Sequence, residues 1–404
     1  MSNKGIGLIT LTQSICNKFL LLLTIFLSVS CFTHAQSFTD PTKDGWRTNF
    51  KLLVDAEWDD NVFKLSDSQK DGMNQKDPGD LVSGRYNDME SINDIIYSIV
   101  PEVKLKTSAG LFSKQLSISG ILDYQYYVHN NQKSNVRLGL LIKQNISKSQ
   151  KLKFLGEYTP SYFVKNYLFD ATDSTGHVSS YERIYHEANY NEFGMLLTYH
   201  HKYWKWIIDV GGDLFLGYRN RNYNDWFMGR DCELINAGIL TKIKPVKWLR
   251  FYFIYYFESS ISPTTTEVMI LDEPDYQIDF NNDRDFADNN RRTEQTVNRS
   301  YFAQNIEFGL KLKPIKNLKL YGKLEYRFED YKSEEPIDPN YKGRNDTKNR
   351  YAFGLDYRII KDLHFLFKYE ITNQLTNREG DPESTGEITD YEIHKTTVGV
   401  KWKF

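Results

Sequence analysis

Charged side chains recur at every second position along several stretches of this chain, and that spacing is the chemistry to be explained. In residues 318–329, Lys319, Lys323, Glu325 and Arg327 share one face, while Leu318, Leu320, Leu324, Tyr326 and Phe328 share the other. Asp356 and Arg358 alternate in the same way with Phe353, Leu355 and Tyr357, and Lys368 and Glu370 alternate with Phe367, Tyr369 and Ile371. Arg250, Glu258, Glu307 and Lys311 fall in the same phase upstream. So do Lys51, Asp55, Glu57, Lys104, Arg137, Lys143, Lys153, Glu157, Asp209 and Asp213. Charges of both signs at this spacing can steer ions and polar solutes, or they can neutralise one another as pairs. Either use needs a face kept away from lipid, because an unpaired charge in an apolar medium is very costly.

Other chemistries find little support. The eight histidines are scattered, and no CxxC or HExxH spacing occurs. His200 and His201, His177 and His186, and His129 and His394 stand in no recognisable hydrolase motif, so neither an enzyme nor a cofactor is expected. Asp279, Asn281, Asp283 and Asp285 have the alternate-position oxygen spacing of a calcium loop. Arg284 stands where that loop needs glycine, and Asn290 where it needs a bidentate Glu, so the segment reads as a solvated acidic loop. Basic residues number 51 against 53 acidic ones, which argues against a nucleic-acid partner.

The elements that carry the charged face must be strands, since strict period two over ten or more residues excludes a helix. The runs are longer than the ~5–6 residues of a soluble strand and suit the ~9–11 residues of a tilted membrane strand. The same template finds about fourteen strands (twelve to sixteen), beginning near Phe50, Ile95, Leu116, Val136, Leu152, Phe193, Trp206, Ile235, Phe251, Gln304, Leu318, Tyr351, Leu363 and Thr396. Pro101 is awkward within the second, because proline cannot donate to a ladder.

Connections alternate between two kinds. SKSQK, HKYWK, KPVKW, KPIKN and IIKD are short and lysine-rich, whereas 59–93, 165–191, 259–298, 331–349 and 373–390 are long and polar. Short turns at one end and long loops at the other are the layout of an outer-membrane barrel. The last strand alternates Thr396, Val398, Val400, Trp402 and Phe404 with Lys395, Thr397, Gly399, Lys401 and Lys403. The 28 Tyr, 25 Phe and 7 Trp suit membrane interfaces. The fold class is therefore all-β: a transmembrane, antiparallel, up-and-down barrel without a plug domain. Occlusion, if any, must come from an inward-folding loop, with 59–93 and 259–298 long enough.

Residues 1–35 read as an export signal. Lys4 and Lys18 supply positive charge, 19–32 are apolar, and Thr33-His34-Ala35 precedes a cleavage site at Gln36. Residues 36–404 then form the barrel in the cell outer membrane. An alternative makes Cys31 a lipid-modified cysteine, though Ser28 stands where such signals prefer Leu.

At the end of the first strand, Asp59, Asn61, Val62 and Phe63 form a D-x-N-V-F turn that resembles the opening of β-barrel porin families of Gram-negative bacteria. The signal and its Ala-Gln junction are similar to exported proteins of Bacteroidetes. The resemblance implies a barrel and no catalytic residues. The partners expected are outer-membrane lipid and lipopolysaccharide, the barrel-assembly machinery through the strand ending in Phe404, and a polar solute or saccharide. The alternative is a non-transporting surface barrel whose long loops bind a partner or polysaccharide.

Overall fold

A strand with one face toward lipid leaves its edge amides without water to pair them, so a membrane sheet must close on itself. The computed structural model describes residues 45–404 apart from 68–69, 71–89, 109, 170–183, 205–207, 224–230, 264, 271–291, 334–340 and 379–389. The first strands are β1 (Arg47–Asp59), β2 (Asp94–Thr107), β3 (Leu116–Tyr127), β4 (Asn135–Asn145) and β5 (Gln150–Phe169). They are followed by β6 (Ile184–Trp204), β7 (Asp209–Tyr223), β8 (Cys232–Val246) and β9 (Leu249–Ile261). A separate hairpin, β10 (Thr265–Ile270) and β11 (Arg292–Val297), interrupts the connection to β12 (Tyr301–Ile315). The chain finishes with β13 (Leu318–Tyr331), β14 (Arg344–Arg358), β15 (Leu363–Arg378) and β16 (Tyr391–Lys403). All strands but β10 and β11 form one closed barrel in which each pairs antiparallel with its sequence neighbour, and β16 closes on β1 from Lys51↔Lys403 to Asp59↔Lys395. This is the fourteen-stranded up-and-down barrel that the alternation implies.

The outward face is apolar. Leu138, Leu214, Leu216, Phe308, Leu324, Phe353 and Val400 are exposed on it. Trp46, Tyr203, Trp248 and Trp402 are exposed near the short-turn end, and Trp58, Tyr97, Tyr158 and Tyr326 nearer the long-loop end. Two aromatic sets flanking an aliphatic zone match the girdles of a membrane barrel. Among the described residues, no helix is long and apolar enough to cross a membrane. The signal at 1–35 lies outside the described residues.

Several strands outrun their sequence signal. β5 and β6 contain 20 and 21 residues, so Lys165 and Asn191 lie in strands rather than in a loop. β14 begins at Arg344 and β15 runs to Arg378, which shortens two more of the expected loops. Beyond the lipid both faces of a strand meet water, so pairing continues after the alternation has faded. The β10–β11 hairpin was missed for the same reason. At Pro101 the β2–β3 ladder loses rungs: Ile99↔Tyr124 and Glu102↔Ile121 keep one register, with no pair between them.

Inside the barrel, glycines and tyrosines interlock. A Cβ built on Gly309 would lie 1.8 Å from Cζ of Tyr252, and one on Gly354 would lie 2.1 Å from Cζ of Tyr321. Each ring occupies the space that a side chain on the adjacent strand would need. A Cβ on Gly322, on the outward face, would meet nothing within 4 Å.

One loop turns into the mouth. Residues 61–66 are anchored by Asn61, whose Oδ1 accepts from the Leu65 amide at 2.8 Å. Its Nδ2 donates to the carbonyls of Leu65 (2.8 Å) and Glu392 (3.2 Å). Leu65, 1% exposed, packs with Phe163 of β5, while Val62 packs with Ile96 and Tyr127. The adjoining corner is held by Asp94, whose carboxylate accepts from the amides of Ile95, Val128, His129 and Asn130. Lys64, at the tip, has φ 58°, a left-handed conformation that costs a non-glycine residue roughly 1–2 kcal/mol. Lys133 is buried beside the turn with Nζ 4.6 Å from the Phe63 ring centroid. Burial, reinforced by the charge on Lys64, pushes the Lys133 ammonium down to about 7 from its ordinary 10.5.

Two outcomes follow. Gly309→Ala should lower the barrel's stability by about 1–3 kcal/mol, as overpacking does. Gly322→Ala should leave it nearly unchanged; both are read from the heat-modifiable gel shift. For Lys133 the folded value is depressed, so the turn's seating is undiminished above pH 10.5 and weakens as pH falls from there toward 7. Lys133→Met removes that penalty. Tryptic cleavage after Lys64 should therefore be slower in the variant than in wild type at pH 7, with the difference shrinking toward pH 9.

Candidate functional site

The ladder registers put Arg250, Glu258, Glu307, Lys311, Lys319, Lys323, Glu325, Arg327, Asp356, Arg358, Lys368 and Glu370 on the face opposite the apolar belt. Most are paired, and the pairs form three groups along the wall. Near mid-height, Lys323 Nζ lies 2.8 Å from Glu307 and 2.7 Å from Glu325. Arg350 lies 3.3 Å from both Glu325 and Glu370, and Lys368 lies 2.7 Å from Glu370.

Toward the long loops, Arg327 reaches Glu258 at 2.7 Å across the intervening β12, and it also pairs with Glu329. Ala303 makes this crossing possible. It stands between Glu258 and Glu329 in the two ladders and is fully buried beneath them. The Tyr301 hydroxyl donates to Glu258 at 2.9 Å. Toward the short turns, Asp356 is the hub, with Lys401 at 2.9 Å, Lys319 at 3.2 Å and His364 at 2.6 Å. Arg358 donates to the Asn317 side chain at 2.5 Å. Among the described residues, Arg250 and Lys311 have no carboxylate partner.

The facing wall is built likewise. Asp213 is held by His200, by Lys242 at 2.8 Å and by Lys153 at 3.9 Å. Glu192 pairs with Arg221 at 2.6 Å and Arg219 at 3.5 Å. Lys395 joins Glu57 at 2.9 Å and Asp59 at 2.6 Å beside the barrel's closure. Ion pairs in contact with water contribute little stability, but leaving a buried member such as Glu258 alone costs about 3–5 kcal/mol.

A cavity of about 770 Å³ opens between these walls. Lys153, Asp213, Arg219 and Arg221 border it from one side, and Glu258, Arg327, Glu329, Lys348 and Arg350 from the other. A second hollow, of about 610 Å³, is lined by Phe251, Phe253, Phe308, Leu324, Tyr351 and Phe353. It belongs to the apolar outer belt and not to the charged walls.

Some interior residues escaped the sequence reading. Lys348, Arg219 and Arg221 lie in the correct phase but close to loops, where the apolar half of the alternation is absent. Tyr162 and Tyr190 stack along the inner wall at a centroid distance of 5.1 Å, Tyr223 lies tilted against Tyr190 at 5.1 Å, and Arg221 is 5.4 Å from the Tyr190 centroid. Tyrosine looks lipid-facing in composition, and only strict phase assigns it inward. Asp279, Asn281, Asp283 and Asp285 lie outside the described residues.

No protein-family model matches the chain, and no curated protein matches it. Solved structures similar to the barrel include the outer membrane channel DcaP of Acinetobacter baumannii, at 8% identity and TM-score 0.42, covering 90% of this chain and 99% of that one. OmpT, an outer membrane protein of Vibrio cholerae, aligns at 9% identity and TM-score 0.39, covering 91% of this chain and 99% of that one. An anion-selective porin from Comamonas acidovorans aligns at 7% identity and TM-score 0.36, covering 89% of this chain and all of that one. Likenesses this remote carry no argument about what the barrel does.

Proposed function

We propose that this protein is a porin-like channel of the outer membrane that passes small polar solutes or saccharides through its charged lumen. The observation that carries the reading is the cavity of about 770 Å³ enclosed by the barrel and bordered by charges of both signs. Fourteen strands fall between the eight that side chains fill and the 16–18 that leave an aqueous channel, so a narrow hydrated passage is the geometry to expect. Salt bridges along the walls hold long side chains against the strands instead of across the opening. Stacked tyrosines at the outer end offer flat faces of the kind that pack against sugar rings. Delivery to the membrane is assigned to assembly machinery that reads β16, whose Trp402 and Phe404 rings stack at 4.6 Å, with lipid and lipopolysaccharide on the outer belt.

Single-channel recording of the refolded barrel in a planar bilayer is the direct test. Stable ohmic steps are expected. A barrel shown to be folded by its gel mobility, yet electrically silent, would sink the channel reading and move the function to the long loops. Neutralising Lys319, Lys323 and Arg327 together leaves Glu258, Glu307, Glu325 and Glu329 under-compensated. The triple Gln variant should therefore shift selectivity toward cations, as measured by reversal potential in a salt gradient. Unchanged selectivity would remove these residues from the conduction path.

A further inference from the structure

Ion pairs match most of the interior carboxylates, whereas several interior cations near the short turns have no such partner among the described residues. On the inward face near the short turns, the acids are Glu102, Asp209, Asp213 and Asp356. All are engaged: Glu102 by Lys51 at 3.0 Å, Asp209 by Lys202 at 2.7 Å, Asp213 by Lys242 and Asp356 by Lys401. The ladders place Lys104, Lys143, Arg250 and Lys311 on the same inward face, and none has a carboxylate within ion-pair distance among the described residues. They are not clustered on one side. β2 and β9 are seven strands apart in the ring, so Lys104 and Arg250 stand on opposite walls. β4 and β12 are six apart, so Lys143 and Lys311 nearly do.

A further cation stands at the other end, on the inward turn, with Asp59 the acid that acts on it. Lys64 at its tip is exposed to solvent, yet both Lys395 of β16 and Arg221 of β7 act on its charge. Those two strands are also seven apart, so a side chain within reach of both stands near the axis of the mouth. Lys348, bordering the cavity below, lacks a carboxylate partner among the described residues, and Lys64 is near enough to repel it. The tip is held in a left-handed conformation by the Asn61 clamp. Strain of this kind persists only where the surrounding structure over-determines it, and it concentrates at functional positions.

We infer that the channel is an anion path, with Lys64 on the inward turn as its outer selectivity-determining residue and the opposed Lys104, Lys143, Arg250 and Lys311 as its inner one. The solutes it favours are small anions bearing carboxylate or phosphate groups. A cation standing in a narrow low-dielectric passage lowers the barrier for an anion and raises it for a cation, as rings of Arg and Lys do in anion and phosphate pores. Opposed walls matter here, because an ion on the axis then feels every member of the ring at similar distance. Most mid-height carboxylates are matched by cations; Asp55, Asp123 and Glu157 have no such match among the described residues, and they stand nearer the long loops than Lys104 and Lys143. Lysine and arginine supply long-range attraction together with hydrogen-bond donors for oxyanions.

This inference rests on the channel reading, and one experiment separates their failures. The refolded barrel is placed in a planar bilayer across a KCl gradient, and the reversal potential of wild type is compared with Lys64→Glu and with the double variant Arg250→Gln, Lys311→Gln. Lys64→Glu keeps a non-glycine residue at the strained tip, so it reports charge alone. Wild type is expected to prefer chloride, Lys64→Glu to lower the anion-to-cation permeability ratio severalfold, and the double variant to lower it independently. Added citrate or inorganic phosphate should reduce chloride current in wild type and less so in the variants. A conducting wild type that prefers potassium, or variants with unaltered ratios, overturns the anion path while leaving the channel standing. A folded barrel with no conductance overturns both.

Discussion

The hydrocarbon layer offers no hydrogen-bond partner, and every other feature of this protein follows from that constraint. Each amide and carbonyl in the lipid zone must pair within the sheet, so the sheet has no free edge and β16 must meet β1. Closure divides side chains into an outer set that lipid tolerates and an inner set shielded from it. Two positions show how strictly the constraint is met. Pro101 removes rungs from one ladder without shifting register, and Gly309 gives up its side chain so that the Tyr252 ring can fill the wall.

Once the inner set is fixed, electrostatics shapes the lumen. Long charged side chains left free in a narrow barrel would fall across it. Pairing along and between strands ties them to the wall, as Arg327 is tied to Glu258 over the small Ala303. Such pairs add little net stability, because desolvation offsets much of the attraction. Their contribution is positional. They fix where each of these charged groups sits along the wall.

How much of this was legible in the sequence depended on which solvent each face meets. Where one face meets lipid, as in residues 318–329, the alternation is strict, and it gave both the strand and the inward side of Lys319, Lys323, Glu325 and Arg327. All fourteen barrel strands carry some of that signal. Above the lipid it vanishes, so the upper parts of β5, β6 and β14 and the whole β10–β11 hairpin read as loop. The inward turn was legible only as a list of residues. Asp59, Asn61, Val62 and Phe63 stand out as a recurring turn, but that Asn61 clamps Leu65 and seats the turn in the mouth depends on contacts with β5 and β16, far away in sequence. Ion-pair partners were equally hidden, since the sequence places Glu258 and Arg327 69 residues apart.

The unequal strand lengths give the entrance a shape. β5 and β6, with 20 and 21 residues, exceed β3 and β4, with 12 and 11, by eight or more residues. At roughly 3.3 Å per residue and a tilt near 40°, that excess raises β5 and β6 about 20 Å above the β3–β4 hairpin beside them. The rim is therefore stepped and not level. The tyrosines on the inner surface of the tall strands, Tyr162 and Tyr190, lie below that crest.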